Sequence, residues 1–275
     1  YKASAGRGPR GIGGFIVATT LFDKLWHEHE VMALSERESL LYIDRIFLHE
    51  RTGSVALNSL LENNRVVRRR RHAFCTMDHI VDTLPGRSDD TLMPSGREFI
   101  VATRSAAHET GIHLFDIADK DQGIVHVISP ELGIALPGLS LICPDSHTCT
   151  LGGLGALAWG VGSTEAEHAL ATSTLRVIKP RNMRVKFTGA LGSGVTAKDL
   201  ILYTIRSLSA AGGAGYAIEF VGPTIDALPV ESRLTLCNMA TELSAFTALI
   251  APDQKVLDFC RGRRFAPEGS VWDQA

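Results

Sequence analysis

The chain has 275 residues, of which 45% are hydrophobic and 21% charged, with a formal net charge of −2. That length gives room for one large or two ordinary cores, and the composition is neither that of a disordered chain nor that of collagen. The near-zero charge argues against bulk attraction to nucleic acid or anionic membrane. No apolar run is long enough to span a bilayer, so a soluble protein is expected.

The amino-terminal segment YKASAGRGPRG is basic and lacks the apolar stretch of a secretory signal. Residues 1–19 read as a disordered extension. The five cysteines, Cys75, Cys143, Cys149, Cys237 and Cys260, are scattered, odd in number and never spaced C-x-x-C. This favours a reduced, cytoplasmic setting over a disulfide framework.

Thr20 to Ala33 has a capping residue and apolar positions on one face, which predicts a helix. Leu40 to Phe47 reads as a strand running into a polar turn over 49–54, and Phe74 to Val81 as a second strand ending near Asp78 and His79. Pro85 to Gly96 reads as a loop, Arg97 to Thr110 as a helix, and GIVHVI (123–128) as a strand. LSLIC (139–143) is a further strand, and Thr164 to Val177 a helix rich in small residues. After Lys179-Pro180 the pattern restarts: strand (183–189), amphipathic helix (196–211), strand (216–222) and a helix over 234–250. The alternation predicts an α/β fold of α/β/α domains with mostly parallel sheets, divided into 20–180 and 181–275.

Several polar clusters are candidates for chemistry. Asp145, Ser146 and His147 follow LSLIC directly, where open α/β sheets keep their sites. Adjacent residues cannot form a hydrolytic triad, but one turn can aim them at a polar ligand, or the side chains can merely satisfy the backbone. Asp78-His79 is a pair in which a carboxylate could tune an imidazole, although a lone Asp-His dipeptide is more often structural. His126 among apolar neighbours reads first as a core histidine. Asn238 and Glu242, four apart, would share a helix face.

The glycine-rich segments match neither dinucleotide nor P-loop spacing. His27 and His29 diverge on a helix and cannot share a metal. Arg68 to Arg71 reads as a solvated loop or subunit contact, with RNA binding as the minor alternative.

Together, TLFDKLWHEHEV, LLYIDRIFLHE, TMDH, DQGIVHVISPELGIALPG, CPDSHTCTLGGLGALAWGVG, GVTAKDLIL, GGAGYAIEFVG, LTLCNM and FAPEGSVWDQA fall in the order of blocks in the aconitase superfamily. The resemblance, from about Thr20 onward, is closest to the isopropylmalate dehydratase large subunits. It implies a hydro-lyase of leucine biosynthesis that interconverts 2-isopropylmalate and 3-isopropylmalate by dehydration and rehydration. Related substrates, those of a homoaconitase or a methylmalate-type hydratase, are the alternative.

The resemblance further implies a [4Fe–4S] cluster with one open iron, and a small subunit whose swivelling domain supplies a serine base. Asp78-His79 would protonate the departing hydroxyl, His126 would pair with Asp145, Ser146 and His147 would bind substrate, Glu242 would support His147, and Asn238 would lie near the cluster. None of the five cysteines matches a cluster position, those cysteines being expected downstream. A truncated large subunit, inactive alone and binding no cluster, is therefore expected, with a non-catalytic partner-binding remnant as the alternative of another class. Pro144, Leu151 and Val55 stand where the family pattern has glycine, histidine and glutamine.

Overall fold

In a computed structural model of the chain, residues 19–274 are described. All but the last residue of the expected extension lies outside them. The elements in chain order are α1 (Leu21–His29), β1 (Glu30–Ala33), β2 (Glu38–Tyr42), β3 (Arg45–His49), α2 (Glu50–Glu62), β4 (Ala73–Thr76), α3 (Gly96–Thr110) and β5 (His113–Phe115). There follow α4 (Val125–Glu131), β6 (Ser140–Cys143), β7 (Leu157–Gly160), α5 (Ser163–Thr172), β8 (Thr174–Ile178), β9 (Arg181–Lys186) and α6 (Ala197–Leu208). The last are β10 (Tyr216–Val221), α7 (Pro223–Ala227), α8 (Val230–Asn238), β11 (Thr247–Leu249), α9 (Gln254–Cys260) and α10 (Ser270–Gln274).

A five-stranded sheet, ordered β5-β4-β3-β6-β7 and parallel throughout, forms the centre. Side chains alternate across it. Ile46, Leu48, Cys75, Ile142 and Trp159 enter the core beneath α2 and α5. Phe47, Phe74, Leu141, Cys143 and Ala158 enter the core on the other face, with Val125 and Ile128 of α4 and Val256 of α9. Phe47 and Phe74 are almost wholly buried, each worth roughly 1.5–3 kcal/mol relative to exposure. A smaller parallel sheet, β11-β10-β9, packs with α6 and α8 around Ile218, Phe220 and Leu236. The remaining sheet, β1-β2-β8, is antiparallel.

Six expectations need correction. The strand expected over 40–47 is two strands in different sheets. Asp44 makes the break: its carboxylate accepts from the Ser140 backbone N–H at 2.9 Å and pairs with His29 at 2.7 Å. Beyond it, the second strand ends at Thr76, leaving Asp78 and His79 on the loop that follows. GIVHVI lies not on a strand but across the start of α4, the β-branched residues packing as a helix against β3 and the glycine-rich segment. The helices expected to reach Ala33 and Val177 stop at His29 and Thr172, because β1 and β8 both join β2. The helix expected over 234–250 occupies Val230–Asn238 and gives way to a 3-10 turn and β11.

The glycine-rich stretch Ser146–Leu154 winds as a 3-10 segment packed against α4 and β7 and against α8 and β11. A Cβ on Gly152 would stand 1.7 Å from the Ala248 carbonyl oxygen, and one on Gly153 2.8 Å from the backbone of Arg233 and Leu234. Ile250 N–H donates to the Gly152 carbonyl at 2.9 Å, so backbone lies on backbone here. Gly152→Ala should therefore destabilise the chain by about 3 kcal/mol in urea unfolding, the upper part of the overpacking range. Gly192→Ala meets nothing closer than 3.8 Å and should change stability by less than about 0.5 kcal/mol.

Candidate active site

Parallel strands put their carboxyl ends on one edge, and β3, β4 and β6 each end there in polar residues. His49 closes β3, Asp78 and His79 follow β4, and Asp145 to His147 follow β6. Glu50, the first residue of α2, is fully buried. Its carboxylate accepts the backbone N–H groups of Asp78 (2.9 Å), His79 (2.7 Å) and Ile80. Burial raises the Glu50 pKa, against the opposing pull of those N–H groups. Three donors converging on one carboxylate fix the loop that carries the Asp-His pair.

His79 lies between two carboxylates. Its Nδ1 bonds to Asp78 Oδ1 at 2.6 Å, and its Nε2 stands 3.0 Å from Asp145 Oδ2. The other oxygen of Asp78 accepts from the Val125 N–H at 2.9 Å. The Asp145 and Asp78 carboxylates, acting against burial, raise the His79 pKa to about 10, so the ring is an imidazolium at neutral pH.

Asp145 is the common partner. The His147 backbone N–H donates to its Oδ1 at 2.7 Å. His126 Nε2 lies 3.1 Å from the same oxygen but off the line of a hydrogen bond, and both His126 ring nitrogens are buried without a hydrogen-bond partner. Burial alone would raise the Asp145 carboxyl; His126 and His79 more than reverse this and hold it far below the usual carboxylate range. A Cβ on Gly160 would stand 2.6 Å from the Asp145 carbonyl oxygen, so β7 needs glycine where it passes this turn.

Ser146 and His147 face outward. Ser146 Oγ is 3.2 Å from His147 Nδ1, and His147 Nε2 is 3.6 Å from Glu242 Oε1. Asn238 and Glu242 share no α-helical face: Asn238 ends α8, and Glu242 lies on the 3-10 turn that follows. Asn238 Nδ2 donates instead to Thr150 Oγ1 at 2.8 Å. The structure thus gathers Asp78, His79, His126, Asp145 and His147 into one network, with Ser146, Glu242 and Asn238 at its margin. A cavity of about 430 Å³ opens beside Asp145, Ser146 and Glu165, and another of about 470 Å³ beside His126, Thr150 and Asn238.

His49 and Glu50 were missed in the sequence, where 49–54 reads as a turn. A histidine and a carboxylate directly after the apolar run IFL repeat the pattern of Asp145 after LSLIC, and that was the available signal. Val55 is exposed on α2, and Leu151 is fully buried in the apolar core. The basic run lies between α2 and β4, with the Arg69 guanidinium over the Tyr42 ring.

The donor atoms of His49, Glu50, Asp78 and His79 lie within 4.8 Å of one another. The Glu50 carboxylate is taken up by backbone amides and both His79 ring nitrogens by the Asp78 and Asp145 carboxylates, so the four do not form an open cation site. No cysteine belongs to it, and among the described residues no other group of three or more metal-capable side chains has all its donor atoms within that distance of one another. All five cysteines are buried and unbridged. Burial pushes the Cys149 thiol up to about 12 and the Cys260 thiol to about 11. Cluster ligands are thiolates, so the described residues do not fit the three-cysteine cradle of a [4Fe–4S] cluster. Nor is any described helix long and apolar enough to cross a membrane.

The family described as the aconitase family (aconitate hydratase) matches residues 23–275. The 3-isopropylmalate dehydratase large subunit 1 of Bradyrhizobium diazoefficiens is 48% identical over 266 residues, 96% of this chain and 55% of the relative. The chain thus spans about half the length of that relative. With a match that runs through every strand of the central sheet and every residue of the Asp145 network, this chain belongs to the aconitase family.

Proposed function

We propose that this chain forms part of the large subunit of a hydro-lyase, 3-isopropylmalate dehydratase, and builds its proton-donating wall. The observation that carries this reading is the His79 ring held between the Asp78 and Asp145 carboxylates at the open edge of the sheet. Dehydration breaks a C–O bond and releases hydroxide, which must be protonated to leave as water. A histidine with a pKa of about 10 holds its proton at rest yet gives it up to hydroxide, whose conjugate acid has a pKa of about 15.7.

Nδ1–H is held by Asp78, whose side chain is 2% exposed, while Nε2–H faces Asp145, 13% exposed, at the longer distance of 3.0 Å; the Nε2 edge is the more open and delivers its proton. Asp78 then keeps the neutral ring in place through Nδ1–H, and Ser146 and His147 supply outward donors for the substrate carboxylates, with Glu242 beside His147. Asn238 borders the cavity that His126 faces. The base that takes the carbon-bound proton comes in this reading from a small subunit with a swivelling domain.

A homoaconitase or methylmalate-type hydratase would use the same wall with another side-chain pocket. The residues 20–180 and 181–275 are proposed as two domains joined through the glycine segment, and the unbridged cysteines favour the cytoplasm.

Titration of histidine-labelled chain with 2-isopropylmalate should shift the ring signals of His79, His126 and His147, and homocitrate or methylmalate should do so only at much higher concentration. Absence of any shift with all three hydroxy acids would sink the hydro-lyase reading. Anaerobic incubation with iron and sulfide should leave this chain without a stoichiometric cluster; one cluster per chain, counted by iron and sulfide analysis, would refute the cysteine assignment. Because the folded pKa of His79 is raised, its contribution to stability is complete below pH 6.5 and is lost as the pH rises through about 10. Urea midpoints should therefore decline across that window, and Asp145→Asn should flatten the decline.

A further inference from the structure

His49 has no part in the acid–base reading above, yet it lies in contact with the group that does. The ring is buried, 2% exposed, at the junction of β3 and α2, and it makes no side-chain cap for that helix. Its plane faces that of His79, with ring centroids 3.9 Å apart and planes inclined by 16°. Its Nε2–H donates to the Pro144 carbonyl at 3.0 Å, one residue before Asp145. Its Nδ1 is buried without a partner. As a packing residue this is a costly choice, because an orphaned buried nitrogen is penalised where an apolar side chain of similar size would not be.

We propose that His49 is a positioning residue for His79: its flat face, tethered to the Pro144 carbonyl, sets the plane in which His79 meets Asp78 and Asp145. The inference rests on the reading of His79 as the proton donor. A cation seated on a neutral aromatic face is attracted to it, whereas two stacked imidazoliums would repel. Burial, followed by the charge on His79, pushes the His49 pKa down and keeps that ring neutral.

The groups facing the stack are Asp78 and Glu50 from the β4 and β3 ends and Asp145 from the β6 end, with His126 and His147 beyond Asp145. The two carboxylates that touch the His79 ring bind it at its edges, through the two nitrogens, and leave tilt about the line joining them free. The His49 face removes that freedom.

The experiment is a ring-nitrogen NMR titration of His79 in this chain, comparing the wild type with His49→Phe, His49→Gln and His49→Ala, each checked for fold by its amide spectrum. Loss of the face in the Gln and Ala variants should lower the proton affinity of His79 about tenfold or more, one pKa unit, and Phe should restore it to within about threefold. Unchanged titration in Gln and Ala, or equal loss in Phe, would overturn the proposal while leaving His79 as the donor. A wild-type His79 titrating near 6.5 would instead overturn the donor reading and this inference with it. Should the variants not fold, the wild type alone decides: carbon-bound ring protons of His79 must show the upfield ring-current shift of a face-stacked imidazole, and their absence refutes the stack.

Discussion

One carboxylate organises the site. Asp145 sits 13% exposed between the rings of His79 and His126 and takes the backbone N–H of His147. Without its negative charge, a half-buried imidazolium at His79 would be costly. The position of Asp145 is itself set by elements remote in sequence. Gly160 lets β7 pass its carbonyl, and the Pro144 carbonyl before it receives the His49 ring. Glu50 performs the matching task on the other side, drawing three amides of the loop after β4 to one point.

The second constraint is the glycine segment that carries this turn into the rest of the molecule. Gly152 and Gly153 allow backbone to lie against the backbone of β11 and α8, so the carboxyl-terminal half is seated directly behind the acid–base network. Arg233, 1% exposed at that seat, is satisfied by the carbonyls of Asp226 and Leu228 and by the Asp253 carboxylate. Such a buried charge is tolerable only when acceptors, and a counter-charge such as Asp253, lie against it. The Asn238–Thr150 bond adds a polar tie across the same boundary.

Much of this arrangement was legible in the residues. Apolar runs that end in acids and histidines, LSLIC before Asp145 and the FCTM run before Asp78, marked the edge of the sheet where the site lies. What stayed hidden was mostly three-dimensional. Ile43-Asp44 looks like the interior of one strand, and only the pairing of Asp44 with Ser140 and His29 shows why the chain leaves one sheet for another there. GIVHVI has strand composition, but tertiary packing makes it helical and so turns His126 toward Asp145. Asn238 and Glu242 have helical spacing across a helix end that periodicity did not mark. Glu50 could not be weighed from sequence, since its partners are backbone amides 28 to 30 residues away.

The buried cysteines carry a consequence of another kind. Each thiol is shielded by packing, and burial disfavours the thiolate that alkylating agents and peroxides attack. In the folded chain these sulfurs are chemically silent; they become reactive when the core around them opens. Cys75 and Cys143 lie beneath opposite faces of the central sheet, while Cys149 and Cys237 lie where the two halves meet. The pattern of modification would thus distinguish separation of the halves from rupture of the sheet, giving the protein a built-in chemical record of which part came apart first.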